Sequence, residues 1–179
     1  MRHTILVLLS IGAALAQTTP KEAIYITDAE VKEVLKHAPP AVDQQLKVVD
    51  MGKYNLAVGI IHRGPTKEGA PITGIAHDQT TETYIIVSGA GTLVTGGTMD
   101  NPKPIPATSE AFKVLNGPST TGAVKGADMR KVVPGDIIII PAGVFHGWTG
   151  IADHVDYLSV RPDPDKVLPA GYVNPAIKK

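Results

Sequence analysis

Two histidines and one glutamate are the residues of this chain best suited to hold a metal ion. His77 ends one predicted strand, Glu82 begins the next after a tight turn, and His146 follows the turn at 141–143 that precedes a third strand. Side chains at such strand ends can meet inside a barrel, and two imidazoles with one carboxylate leave coordination positions open for water, substrate or oxygen. These ligand types suit Fe, Mn, Zn, Ni or Cu and do not choose among them.

The alternative for these three residues is a hydrogen-bonded polar cluster in a metal-free barrel. A carboxylate that faces a barrel interior needs a partner that offsets its desolvation, and this requirement favours a bound cation. The sequence therefore predicts a mononuclear divalent-metal centre made by His77, Glu82 and His146.

Two aromatic residues follow the predicted ligands at a spacing of two, which places them on the same inward strand faces. Tyr84 follows Glu82 and is the candidate catalytic residue, because its hydroxyl could donate a proton or orient a substrate. Core packing with a satisfied hydroxyl is its alternative. Trp148 follows His146 and could line the same cavity or fill the core.

Three further polar residues have a weaker case. Gln79 lies in the turn between His77 and Glu82 and could contact a ligand, or it could be a solvated turn residue. His62 ends a predicted strand and could be a replacement ligand, although a partly exposed strand-end histidine is more common. Arg161 could bind a carboxylate if it faced the cavity, but we expect an exposed arginine at this strand end.

The composition favours one turn-rich β domain. The 179 residues include 18 glycines, 15 prolines and no cysteine, so the chain has neither disulfides nor thiolate metal sites. Seventeen basic residues balance 17 acidic ones, which argues against a nucleic-acid partner.

One short helix and many strands would position the candidate residues. The helix is predicted over 28–37, because Thr27 and Glu30 have the spacing of a capping box and prolines follow at 39–40. The predicted strands, separated by turns that contain Gly or Pro, are Ala23–Ile26, Gln45–Met51, Tyr54–His62, Ile72–His77, Thr83–Val87, Thr92–Thr95, Arg130–Val133, Ile137–Ile140, His146–Thr149 and Val155–Val160.

Two segments have a less regular pattern. The polar stretch between Gly97 and Met129 is predicted to be a long exposed loop, with room for a short helix at Ser109–Leu115. The four isoleucines of Ile137–Ile140 are predicted to form a strand that is buried throughout.

The N-terminus has the layout of a secretory signal peptide. Arg2 precedes an uncharged apolar run and a small-x-small site at 14–16, so we expect cleavage after Ala16 and a periplasmic or secreted protein with no membrane span after processing. A short anchoring or buried helix is the alternative. We expect four segments along the chain: a signal peptide in 1–16, an N-terminal strand and short helix in 17–44, the barrel in 45–161 and a Pro-rich C-terminal tail in 162–179.

Two segments resemble the two sequence motifs of the cupin superfamily. His77 matches the second histidine of the family's His-x-His pair, Glu82 matches its glutamate, and Ile75 stands where the first histidine is usual. The second motif is matched by Gly135, Pro141, Gly143 and His146, with Gly150 in place of the usual asparagine. The resemblance implies a single-domain, all-β cupin barrel, a double-stranded β-helix of the jelly-roll type, here with a short N-terminal helix.

The resemblance also implies a function. We expect an exported cupin whose divalent-metal site binds or transforms a small molecule, by oxygenase, isomerase or lyase chemistry that the sequence does not distinguish. The alternative is a non-catalytic small-molecule-binding cupin without metal. The expected lining of the pocket consists of Ile75, Gln79, Trp148 and His62.

Open sheet edges lead us to expect a homodimer, because pairing between subunits is a common way to cover them. The predicted strand Ala23–Ile26 or the Pro-rich tail could supply the contact.

Overall fold

The computed structural model describes residues 19–37, 42–67 and 69–177. The predicted signal peptide and its cleavage site lie outside the described residues. Across these ranges no helix is long and apolar enough to cross a membrane.

Two antiparallel sheets form the fold, and both contribute side chains to one interior. The five-stranded sheet has the order β1-β2-β11-β4-β9, and the six-stranded sheet has the order β6-β7-β3-β10-β5-β8. The strands are β1 (Val42–Asp50), β2 (Asn55–Arg63), β3 (Thr73–His77), β4 (Glu82–Gly89), β5 (Gly91–Thr95), β6 (Thr98–Pro104), β7 (Ser119–Lys125), β8 (Asp128–Val132), β9 (Ile137–Ile140), β10 (His146–Thr149) and β11 (Val155–Asp163). The predicted all-β barrel of the double-stranded β-helix type is confirmed.

The predicted helix is confirmed as α1 (Asp28–His37). Its capping box is closed in both directions: the Thr27 amide donates to Glu30 Oε2 at 2.7 Å, and the Glu30 amide donates to Thr27 Oγ1 at 3.2 Å. Val34 is buried against Leu46 and Ile60, so the helix covers the outer face of β1 and β2.

The barrel core lies between the two sheets on the inward faces of the strands. It includes Ile61, Tyr84, Trp148, Val155 and Tyr157, which are all buried in one cluster. Inward and outward residues alternate along β11, as expected for strands of an antiparallel sheet with one face on the core.

The prediction of a strand at Ala23–Ile26 is wrong. The segment is irregular, and Ile24 and Tyr25 are exposed. The physical reason is that the free edge of β1 is already taken: Gly171 N donates to Val48 O at 2.8 Å, and Val48 N donates to Tyr172 O at 3.0 Å. The described part of the C-terminal tail therefore packs on its own chain. The predicted homodimer and the part of the tail in it stay predictions.

The segment between Gly97 and Met129 is not a structureless loop. It contains β6, a π-helical segment at Ala111–Asn116 and β7, which pairs with β3 from Thr73↔Ala123 to His77↔Ser119. The predicted short helix therefore exists in π form, shifted toward the C-terminus. The sequence does not predict these strands, because β6 is mostly exposed and β7 pairs with β3, which is distant in sequence.

The strand Ile137–Ile140 is confirmed, but its predicted burial is wrong. Ile137 and Ile139 are 67% and 69% exposed, while Ile140 is buried. β9 belongs to a sheet with one face on the core, so Ile137 and Ile139 lie on the opposite, outward face. Ile137 and Ile139 lie opposite Ile85 and Thr83 on the outer face of β4, and Val87 is exposed further along it.

We predict that Gly74→Ala disrupts the barrel. A Cβ at Gly74 on β3 would lie 2.1 Å from the carbonyl oxygen of His146 on β10 and 2.7 Å from the Phe145 ring. Because backbone cannot yield as a flexible side chain does, we expect the free energy of unfolding in urea to fall by about 3 kcal/mol or more.

Gly64→Ala is the matched control. No heavy atom lies within 4 Å of a Cβ built there, and the residue does not need the left-handed backbone region. We expect its unfolding free energy to change by less than about 1 kcal/mol. Equal unfolding midpoints for the two variants would contradict the close approach of β3 and β10.

Candidate metal centre

Three buried side chains converge inside the barrel: His77, Glu82 and His146. One ligand atom from each lies within 4.8 Å of the other two. Glu82 Oε2 is 3.1 Å from His77 Nε2 and 3.1 Å from His146 Nε2. The three side chains that the sequence predicts as ligands are thus brought together.

The strands place these residues at one level of the barrel. His77 is the last residue of β3, Glu82 is the first of β4, and His146 is the first of β10. Gly143 N donates to His77 O at 2.7 Å, which ties the turn before β10 to the end of β3. His146 also lies opposite Ile75 in the β3–β10 ladder, so its backbone position is fixed by strand pairing.

Hydrogen bonds to the Nδ1 atoms fix the orientation of both imidazoles. His146 Nδ1 lies 3.1 Å from Val144 O, and since a carbonyl only accepts, Nδ1 carries the proton. His77 Nδ1 lies 2.9 Å from Ser119 Oγ, whose own proton goes to Gly117 O at 3.0 Å. His77 Nδ1 is therefore also a donor, and both rings present Nε2 to Glu82.

This arrangement leaves two Nε2 lone pairs facing one carboxylate oxygen. His146 Nε2 is buried and has no hydrogen-bond partner among the described residues. Burial lowers the pKa of His77 despite the attraction of Glu82, so this imidazole is uncharged at neutral pH. A divalent cation is the species that all three atoms could bind together, and the supported Nδ1–H groups match the usual second shell of metal-bound histidine.

The Glu82 carboxylate is held by donors on both of its oxygens. Oε1 accepts from Ser159 Oγ and Arg161 Nε, both at 2.8 Å, and Oε2 accepts from Tyr84 OH at 2.9 Å. Burial raises the pKa of Glu82, but the charge of Arg161 outweighs it, so the pKa lies well below its ordinary value. Glu82 is ionised at neutral pH. Its Oε1 is occupied by the two protein donors, and its Oε2 lies next to the imidazoles.

Arg161 is buried, with 1% of its surface exposed, so the expectation of an exposed strand-end arginine is wrong. Its Nη2 pairs with Asp43 Oδ2, and its Nη1 donates to Gln45 Oε1 at 3.3 Å and Leu115 O at 3.2 Å. Burial alone would lower the pKa of Arg161, but the attraction of the Asp43 and Glu82 carboxylates outweighs burial. The pKa is therefore above its ordinary value, and the guanidinium stays charged.

The sequence contained a signal for this arginine. Tyr157, Ser159 and Arg161 alternate along β11, so a strand that begins inward at Tyr157 must also turn Arg161 inward. The space for its guanidinium comes from Gly59, where a Cβ would lie 3.1 Å from Arg161 Nη1.

A cavity of about 690 Å³ opens beside the three residues. Ile75 and Tyr84 line it, together with Ile61, Arg63 and Tyr157. Tyr84 is buried, and burial followed by the charge of Glu82 raises its pKa well above the ordinary value, so its hydroxyl remains protonated.

The other predicted pocket residues do not line this cavity. Gln79 is exposed in the turn between β3 and β4. Trp148 is buried in the core and stacks on Tyr157 at a centroid distance of 5.2 Å. His62 alternates with the inward Ile61 and so lies on the outer face, where its Nδ1 is 2.6 Å from Asp156 Oδ1.

Comparison with known proteins concerns the fold. No family model and no curated protein matches the chain. Among solved structures, a Bacillus halodurans protein is 18% identical over 90% of this chain and 98% of its own, with a TM-score of 0.49. An RmlC-like cupin-family protein with a double-stranded β-helix fold from Methanocaldococcus jannaschii is 14% identical over 82% of this chain and 95% of its own, with a TM-score of 0.42.

A DMSP lyase from Ruegeria pomeroyi is 15% identical over 69% of this chain, with a TM-score of 0.42. The present chain covers 47% of that lyase chain, about half its length.

We predict that Arg161→Met strongly destabilises the protein. The variant leaves the carboxylates of Glu82 and Asp43 without their shared cation, and loss of one partner of a buried ion pair costs about 3–5 kcal/mol. Urea unfolding followed by circular dichroism measures the loss. Adding Asp43→Asn to Arg161→Met should recover part of it.

Lys125→Met is the control, because it removes a cation from the exposed pair with Asp100. Its expected cost is less than about 1 kcal/mol. A loss at Arg161 no greater than that at Lys125 would show that the buried network does not depend on the guanidinium.

Proposed function

We propose that this cupin-fold protein holds one divalent metal ion through His77, Glu82 and His146 and that it binds or transforms a small molecule in the adjacent cavity. The observation that carries the proposal is His146 Nε2, a buried nitrogen without a hydrogen bond that lies 3.1 Å from the ionised carboxylate of Glu82, beside a second imidazole. A bound metal would act as a Lewis acid toward a small molecule or activate water or oxygen.

The residues around the site would prepare it for this role. Ser119 and Val144 O hold the two imidazoles with Nε2 inward, and Arg161 and Ser159 occupy one oxygen of Glu82. Among the described residues the site thus offers three ligand atoms, and the position of Ile75 contributes an apolar side chain to the cavity wall. Positions left open on the ion would face the cavity.

Tyr84 is the proposed proton donor at this site. Its hydroxyl donates to Glu82 Oε2 and lines the cavity, and its raised pKa excludes a role as a base at neutral pH.

A metal-free binding protein is the second candidate function. One observation favours it: hydrogen bonds from Tyr84, Ser159 and Arg161 already offset the desolvation of the Glu82 carboxylate. Metal content separates the two candidates.

We predict about one divalent ion per chain after loading, and its loss in His146→Ala. Elemental analysis after gel filtration measures the stoichiometry, and circular dichroism checks that the barrel remains. The matched control is His62→Ala, whose imidazole lies on the outer face and pairs with Asp156, so this variant should keep its metal.

Two results would contradict this proposal, each in a different part. A wild-type protein that retains none of Fe, Mn, Zn, Ni or Cu would favour the metal-free binding function. A His146→Ala protein that retains its ion would show that the ligand assignment is wrong.

We also propose a homodimer formed through the outer face of β4 and β9. Helix α1 packs on the outer face at β1 and β2, but Val87, Ile137 and Ile139 are exposed on the same sheet. β9 is in addition an edge strand, and pairing with a second copy would cover both features.

We predict that light scattering at micromolar concentration gives the mass of two chains. Ile137→Lys combined with Ile139→Lys should give a monomer, because charge at an apolar contact opposes association. Tyr25→Lys, at an exposed residue outside the sheet, is the control. A wild-type monomer, or a dimer unaffected by the double substitution, would refute this contact.

A further inference from the structure

Arg63 is an inward-facing cation that the site described so far does not use. It is the last residue of β2 and shares the inward face with Ile61, so both side chains line the cavity. Its Nε donates to Tyr157 OH at 2.9 Å, which fixes the guanidinium on the cavity wall.

The two Nη groups of Arg63 have no acceptor within the described ranges. No carboxylate oxygen lies within 4.0 Å of its guanidinium there, and Tyr157 OH is its one hydrogen-bond partner. Arg161 differs, since both of its Nη groups are bound to other parts of the protein. Arg63 therefore keeps the planar edge that binds carboxylates with two parallel hydrogen bonds.

A short chain of contacts connects Arg63 to the candidate metal centre. Tyr157 OH accepts from Arg63, the rings of Tyr157 and Tyr84 are 4.3 Å apart at their centroids, and Tyr84 OH lies 2.9 Å from Glu82 Oε2. Arg63 and the three candidate ligands also line the same cavity, so one small molecule in it has both at its wall.

The arrangement of charges on the cavity wall leaves Arg63 available to an anion. The carboxylates of Asp43 and Glu82 both contact Arg161 and lie more than 4.0 Å from the Arg63 guanidinium, so Arg63 has no direct carboxylate partner although the four inner charges balance. A divalent ion at the candidate site would add further positive charge. At the cavity mouth, the exposed Lys103 and Asp100 have opposite signs.

We propose that Arg63 binds the carboxylate of the protein's ligand, which makes a small organic acid the ligand class of this cavity. The identification of that acid as a substrate rests on the proposed metal function, whereas the binding site itself does not. A carboxylate fits better than a phosphate group, because phosphates are usually held by several donors and the wall offers one free guanidinium edge.

The test is the binding of 4-fluorobenzoate, followed by 19F NMR, to the full chain in metal-loaded and EDTA-treated forms. The neutral isostere 4-fluorobenzamide controls for apolar contacts, and acetate and inorganic phosphate serve as competitors. We expect the benzoate to bind about tenfold or more tightly than the benzamide, and acetate to compete with it.

Variants assign the effect to the guanidinium. Arg63→Met should weaken benzoate binding about tenfold and leave benzamide binding unchanged, and Arg63→Lys should restore part of the affinity because it keeps the charge but loses the planar edge. Lys103→Met removes a cation from the cavity mouth and should change the affinity by less than about twofold.

The outcomes separate this proposal from the metal proposal. Benzoate binding through Arg63 in a protein that takes up no metal would refute the metal function and keep the anion site. Equal affinities for benzoate and benzamide, or no effect of Arg63→Met, would overturn the anion site even in a metal-loaded protein. Competition by phosphate that is much stronger than that by acetate would overturn the choice of carboxylate.

Discussion

The ionised carboxylate of Glu82 is the constraint on which the interior of this barrel depends. A charge removed from water is tolerated only where donors and opposite charges replace its hydration. Arg161 and Ser159 do so on one oxygen, and Tyr84 does so on the other. Because Arg161 also reaches Asp43 on β1, one buried carboxylate couples strands β1, β4 and β11 of the same sheet.

The second sheet supplies the two histidines of the candidate site. Its strands β3 and β10 bring His77 and His146 to the same carboxylate, and their close approach requires glycine at Gly74 and Gly147, which face each other in the ladder. The candidate site thus spans the two sheets and exists only when they close over a common interior. The close backbone contact at the two glycines is therefore a condition for bringing the three side chains together.

The sequence predicts those features that depend on local spacing. The capping box of Thr27 and Glu30 locates α1, and the turns on either side of Glu82 and His146 locate the three converging residues. Features that depend on strand register could not be predicted in this way. Whether Arg161 faces the interior follows from the parity of β11, which is fixed only when its neighbours are known.

Errors in the sequence interpretation have the same origin. The burial of Ile137 and Ile139 depends on whether another element covers the outer face of β9, and an isoleucine-rich run is compatible with either case. The strand character of β7 depends on pairing with β3, more than 40 residues earlier in the chain. Arg63 has no motif around it, and it stands out only because Tyr157 OH is the one acceptor that the described residues offer to its guanidinium.

The pairing of residues 171–174 with β1 has a consequence for biosynthesis. β1 is translated more than 100 residues before the segment that covers its edge, so the growing chain carries an open strand edge until synthesis reaches this segment. Open strand edges template intermolecular pairing and aggregation. The C-terminal segment therefore protects the edge of β1 only at the end of synthesis. Once this segment has docked, β1 can no longer pair with another chain at this edge.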